Sequence, residues 1–333
     1  MRVGEIVPQN VVFGDLARFG GLGVIPLCID RCPNFPRLDT LEQALEKGTV
    51  RINEVGEAGE VPHLLFQNGG DSAVIVLDGE EVVGGKQNRI VNTTLIILAQ
   101  QTVKIPVSCI EAGRWHERDG ADFQSGQAIF RAKSRAAQKA SVTANVRAGN
   151  GYRSNQHAVW DQVAESLEAL KVRSGTANFR EARAKVADQI DEFVNAFRPA
   201  HNQIGSIFMN RSGILGVEMV GTPALYVQVC DKVTRSFGFE ALGAQDLDGV
   251  SSNAARTWWE KVLQAEYSRH SSPAAGEDIR VGTQELIGSG LVWNNILVHF
   301  SCFRNVRLEF PCSHQKRSSI RERRRNLKSS IAG

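Results

Sequence analysis

No stretch of this 333-residue chain approaches the roughly 20 consecutive apolar residues needed to span a bilayer. Its longest apolar runs, Thr94 to Leu98 and Ala73 to Leu77, are five residues each. The opening "MRVGEIVPQN" has no apolar core of a secretory signal. A soluble, cytoplasmic protein with no membrane partner is therefore expected. Cysteine is also scarce. Six residues, at 28, 32, 109, 230, 302 and 312, are too scattered for a disulfide scaffold. "CIDRC" brings Cys28 near Cys32, but no second pair supplies the four or so ligands that zinc takes. No metal and no cofactor is expected. An excess of one charge is missing too: the net charge is only +3. Residues 303–333 carry nine Lys/Arg against two Glu, leaving 30 Lys/Arg against 34 Asp/Glu elsewhere. The pI thus gives no general case for nucleic-acid binding, which is confined to the tail.

What is present is glycine, 31 residues, with a 42% hydrophobic content that supports a sizeable core. The first half reads as short strands rich in Val, Ile and Leu: 22–28, 61–67, 73–77, 89–98 and 104–110. Asp78-Gly79 is a two-residue hairpin signal, because glycine tolerates the positive φ of a type I′ turn. It predicts that "AVIVL" folds back on "EEVVG". "LDTLEQALEKG" is the one helix expected among these strands. In the second half Trp160, Val163, Leu167 and Leu170 recur at helical spacing. So do Val186, Ile190, Phe193, Val194 and Phe197. "IGSIFMN" and "ILGVEMVG" flank Arg211-Ser212-Gly213 as a hairpin. Thr222-Pro223 caps a further helix, another is predicted over 252–269, and "RHSSPAAGED" reads as a loop before a β-like end. The expected fold is α+β. A β-rich sandwich or open barrel (1–146) precedes a mainly helical region with a β-hairpin (147–303), and a basic tail (304–333) follows.

The unusual feature is "GGKQNRIVN". Lys86, Gln87, Asn88 and Arg89 stand together at the start of a buried strand. The next strand ends in Glu111, followed by Arg114 and Trp115. If the two strands pair antiparallel, both clusters meet at one end of the sheet. Lys86, Arg89 and Arg114 would then hold anionic groups. Gln87, Asn88 and Asn92 would orient a ligand through donors and acceptors. Glu111 would orient an arginine or act as acid or base. The same groups equally describe a structural ion pair closing a sheet end. Cys109 alternates with Ile105 and Val107, which argues for burial rather than nucleophilic work. "FRAKSRAAQK" spaces Arg131, Arg135 and Lys139 along one helix face, read as solvated surface or as an anion-binding wall.

"LDGEEVVGGKQNRIVNTTLIILAQQTVKIPVSCIEAGRW" resembles the ARG and rhodanese-phosphatase-superfamily-associated protein domain family. The resemblance runs from about Glu5 to "SGLVWNNILVHFSCF", with the GGKQNR and IPVSCIE–GRW elements its most specific parts. The family's name implies association with ADP-ribosylglycohydrolases and rhodanese-phosphatases. It thereby implies a small phosphorylated, nucleotide-like ligand such as ADP-ribose, but no catalytic residues. The alternative is a non-enzymatic partner of a neighbouring enzyme. Nucleic acid is a third partner class, through the basic tail alone.

Overall fold

A computed structural model describes residues 1–305, apart from 57, 117–121, 245, 246, 248 and 249. The basic tail beyond 305 lies outside the described residues. The architecture is α+β. A nine-stranded antiparallel sheet runs in the spatial order Val11–Phe13, Leu22–Ile29, Gln203–Asn210, Gly213–Val220, Ile296–Arg304, Leu286–Trp293, Glu277–Gly282 and Tyr267–Ser271. Ala17–Phe19 pairs outside this path, on Leu22–Ile29. The sheet thus takes strands from both the 1–146 and the 147–303 segments. A six-stranded sheet follows the order Gln124–Ile129, Glu80–Val83, Arg89–Val91, Gln101–Cys109, His63–Asn68 and Val50–Glu54. Leu95–Ile97, Val74–Val76 and Asp39–Thr40 make a third, three-stranded sheet.

Local chemistry explains where elements begin. Thr40 and Gln43 form a reciprocal capping box that starts the Leu41–Glu46 helix, whose Leu41 and Ala44 are buried. Asn155 caps Gln156–Ala169, and Thr222 caps Pro223–Gly238 with proline in the first turn. The second predicted helical stretch divides at Val186 (φ −120°, ψ 13°) into Phe179–Lys185 and Ala187–Ala196. The hairpin of Gln203–Asn210 with Gly213–Val220 forms as the sequence suggests.

Four expectations need correction. Asp78-Gly79 turns the chain, with Gly79 at φ +80°, but makes no hairpin. Val74–Val76 pairs with Leu95–Ile97, whereas Glu80–Val83 pairs with Arg89–Val91 and Gln124–Ile129. The corner passes the chain between two sheets because Gly79 N bonds Val91 O and Phe130 N bonds Gly79 O. The 89–98 stretch likewise divides into Arg89–Val91 and Leu95–Ile97, in different sheets. Finally, the helix from Ser252 stops at Gln264, with Ala265 extended. Val3 N bonds Ala265 O and Tyr267 N bonds Met1 O, so the N-terminus holds this segment out of the helix. The "RHSSPAAGED" loop is in fact largely the hairpin of Tyr267–Ser271 with Glu277–Gly282.

Apolar packing is layered. The helix carrying Trp259 and Val262 covers one face of the nine-stranded sheet. The helices between Ala132 and Gly238 and part of the β-rich half cover the opposite face, where Phe208, Phe237 and Phe303 stack in series. A separate cluster with Phe66, Val91, Ile97 and Ile105 fills the two smaller sheets. Each such side chain contributes about 1.5–3 kcal/mol through burial.

Candidate functional site

The two clusters singled out in the sequence do meet. Arg89–Val91 and Gln101–Cys109 pair antiparallel with Arg89 opposite Cys109, which brings Lys86–Arg89 against Glu111–Arg114. The meeting place is filled rather than hollow. Arg114 Nη2 donates to Glu111 Oε2 at 2.7 Å and to Asn88 Oδ1 at 3.3 Å. Arg114 Nη1 donates to the carbonyl oxygen of Gly85 at 2.5 Å. Gln87 Nε2 donates to the Glu111 carbonyl at 2.7 Å. Arg89 turns away to Glu54, 3.2 Å from both carboxylate oxygens, and to Val61 O at 2.7 Å. Asn92 joins a different group, accepting from Ser108 Oγ at 2.6 Å and Gln138 Nε2 at 2.8 Å. Gln87, Asn88, Arg89, Asn92, Glu111 and Arg114 are all buried, none more than 4% exposed. Lys86 is half-buried, its Nζ 6.0 Å from the ring centre of exposed Trp115.

The expected rim of an open hollow is thus a closed lock. Its physical cause is stoichiometry: among the described residues each of these buried charged or amide groups already has a protein partner, and only Arg89 Nε is left without one. Burial pushes Glu111 up, but its bonds from Arg114 and Thr176 hold it below the usual carboxylate range. Cys109 is fully buried, and burial pushes its thiol up to about 11. That removes it as a nucleophile near neutral pH.

Arg135 and Lys139 form neither a solvated surface nor an anion-binding wall: both are buried. The Ala132–Arg147 helix drives them into the centre of the molecule. Arg135 donates to both oxygens of Glu218, at 2.8 and 2.9 Å, and to Asp78 Oδ2 at 3.2 Å. Lys139 donates to the same Asp78 oxygen at 2.9 Å, and His299 lies 2.8 Å from Glu218 Oε1. The anions are the protein's own. Burial pushes Asp78 up, yet Arg135, Lys139 and His299 hold it well below the normal range. Asp78, Glu218 and His299 offer three ligand atoms within 4.8 Å of one another. Two cations already balance the two carboxylates, so a divalent metal would add uncompensated charge to a dry interior. This hub lay hidden in the sequence because its two carboxylates lie 57 to 221 residues from the cations and the histidine that face them (Asp78 to Arg135, and Asp78 to His299).

The lock extends to a surface that is open. Thr176 Oγ1 donates to Glu111 Oε1 at 2.8 Å, and Phe179 N donates to Ile110 O at 3.1 Å. Asn178 accepts from Asn88 Nδ2 at 3.4 Å and caps the Phe179–Lys185 helix. That helix presents Arg180 and Arg183 to a cleft of about 600 Å³, and Arg235 of Pro223–Gly238 enters from the other side. All three arginines are part-exposed. Arg183 Nη1 lies 2.6 Å from buried Glu81 Oε2, and Arg235 pairs with Asp191. Among the described residues, Arg180 makes no side-chain hydrogen bond or ion pair. Burial and the neighbouring charge of Arg183 both lower the affinity of Arg235 for its proton. Three arginines thus line the cleft together with one carboxylate, Glu181, while Glu81 and Asp191 pair with Arg183 and Arg235. Sequence reasoning missed it because Arg180, Arg183 and Arg235 look like ordinary helix-surface charges. The distance of Arg235 along the chain hides the convergence.

Fold and sites together define an α+β protein with a closed polar lock and a self-neutralised ionic hub. Beside them an arginine-lined cleft lies open. The chain belongs to the ARG and Rhodanese-Phosphatase-superfamily-associated Protein domain (ARPP-1) family, whose family model matches residues 10–303. Neither a curated protein nor a solved structure matches it. No helix among the described residues is long and apolar enough to cross a membrane.

Proposed function

We propose that this chain binds a small phosphorylated, nucleotide-like ligand such as ADP-ribose, with its anionic groups in the cleft of Arg180, Arg183 and Arg235. The carrying observation is the convergence of three arginines on a cleft of about 600 Å³: Arg180, which among the described residues makes no side-chain hydrogen bond or ion pair, and Arg183 and Arg235, whose like charges oppose each other. Guanidinium forks match phosphate oxygens bidentately. An arriving phosphate relieves the repulsion and satisfies Arg180 at once. The family's name, which associates it with phosphatase-superfamily proteins, agrees with phosphorylated chemistry. Asn88, Glu111 and Arg114 act here as buttress, since their network reaches Thr176 and Asn178 in the turn before Arg180.

Thermal unfolding with and without inorganic pyrophosphate, ADP-ribose, NAD and nucleotides tests this reading. Saturation at 100 times Kd should stabilise the fold by about 2.7 kcal/mol. Arg180→Gln should abolish the shift, and added salt should weaken it. If none of these compounds shifts the transition, the reading fails. The alternative, a non-enzymatic partner of a neighbouring enzyme, then takes its place.

A further inference from the structure

A second open cleft, of about 700 Å³, lies on the other side of the Gln124–Ile129 strand. Its walls are polar, with Glu42, Arg51, Asn53, Gln67 and Ser125 among them. Among the described residues, the side-chain amides of Asn53 and Gln67 hold no hydrogen bond. Glu42 is fixed in place: Ser125 Oγ donates to its Oε1 at 3.0 Å, and Lys232 Nζ to its Oε2 at 2.8 Å.

Gln127 lines both clefts. It sits on the edge strand of the six-stranded sheet, where pairing with Glu80–Val83 slips between Ser125 and Ile129. Its φ is +51°, a left-handed conformation that strains a non-glycine residue. The slip turns the exposed Gln127 side chain out onto the ridge between the two clefts. Gly126 beside it could not carry a side chain, since a Cβ there would lie 2.3 Å from Glu81 Oε2.

We infer that the two clefts form one elongated site for a phosphorylated polyhydroxyl compound. The phosphates lie on the arginine side, and the hydroxyl-bearing part lies against Asn53, Gln67 and Glu42, with Gln127 spanning the ridge. This deepens the proposed function and rests on it. Unpaired amides and an anchored carboxylate read hydroxyl groups as donors and acceptors. Arginine alone would take any phosphate equally. The second cleft thus supplies discrimination.

Isothermal titration of the full chain with pyrophosphate and with ADP-ribose separates the two claims. ADP-ribose should bind at least tenfold more tightly than pyrophosphate. Asn53→Ala and Gln67→Ala should each weaken ADP-ribose severalfold and leave pyrophosphate unchanged. Gln127→Gly, which relieves the backbone, should behave in the same way. Arg180→Gln should weaken both ligands. Unchanged urea midpoints for the Asn53 and Gln67 variants verify that they fold. Should the Asn53 and Gln67 variants leave the ratio of the two affinities intact, the elongated site is wrong while the arginine cleft stands. If pyrophosphate itself does not bind, the arginine cleft falls and the inference with it.

Discussion

Replacing Arg135 by methionine keeps most of the side-chain volume and removes the charge that holds the hub together. In the native protein that guanidinium faces Glu218 and Asp78 with no solvent exposure of its own. Removing one partner of a buried ion pair costs about 3–5 kcal/mol, because the other charge is left uncompensated. Two carboxylates are affected here, so the upper part of that range is expected. Against a total stability of about 5–15 kcal/mol this is a large loss. The deficit must also depend on pH. In the native protein burial pushes Glu218 up, and Arg135 and His299 more than reverse this, so its pKa is lowered. A lowered carboxyl stabilises above its unfolded value, near about 4.3, and loses that contribution as pH falls through the folded value. Without Arg135 the burial contribution wins and the pKa rises. The variant's stability then falls as pH climbs from 5 to 8, and its deficit widens. Urea unfolding followed by tryptophan fluorescence at pH 5.5 and 8 measures both effects. A deficit under about 1 kcal/mol at pH 8, or one equal at both pH values, would falsify the account of the hub.

Two further outcomes follow from the same geometry. Arg114→Ala should destabilise by about 3–5 kcal/mol in urea, since it strands Glu111 in the closed lock; a change below about 1 kcal/mol would mean that Arg114 is not locked. Burial raises Glu80 to about 7 against the opposing charge of Lys232, so its contribution is present below about pH 4.3 and is lost as pH rises to 7. Glu80→Gln should flatten that part of the stability–pH profile, and an unaltered slope would count against this assignment.

Much of the scaffold was legible because it rests on local rules. The capping box at Thr40, the Thr222-Pro223 start and the 203–220 hairpin depend on groups within a few residues of one another. So did the meeting of Lys86–Arg89 with Glu111–Arg114, since the strands that carry them neighbour each other in both sequence and sheet. The Asp78-Gly79 hairpin was misread for the opposite reason. A turn signal states that the chain bends, but the distant Phe130 and Val91 backbones decide which strand it then joins.

Residue order by itself determined the α+β character, the family, the burial of Cys109 and the convergence of the polar clusters. Tertiary structure alone decided that this convergence is closed, that Arg135 and Lys139 face inward, and that Arg235 comes to stand beside Arg183. The reason is physical. Hydrophobic periodicity is a property of one segment, whereas the partner of a charge is set by whichever segment packs against it. Whether an arginine is a lock, a hub or an open binding group depends on how many carboxylates the fold delivers to it.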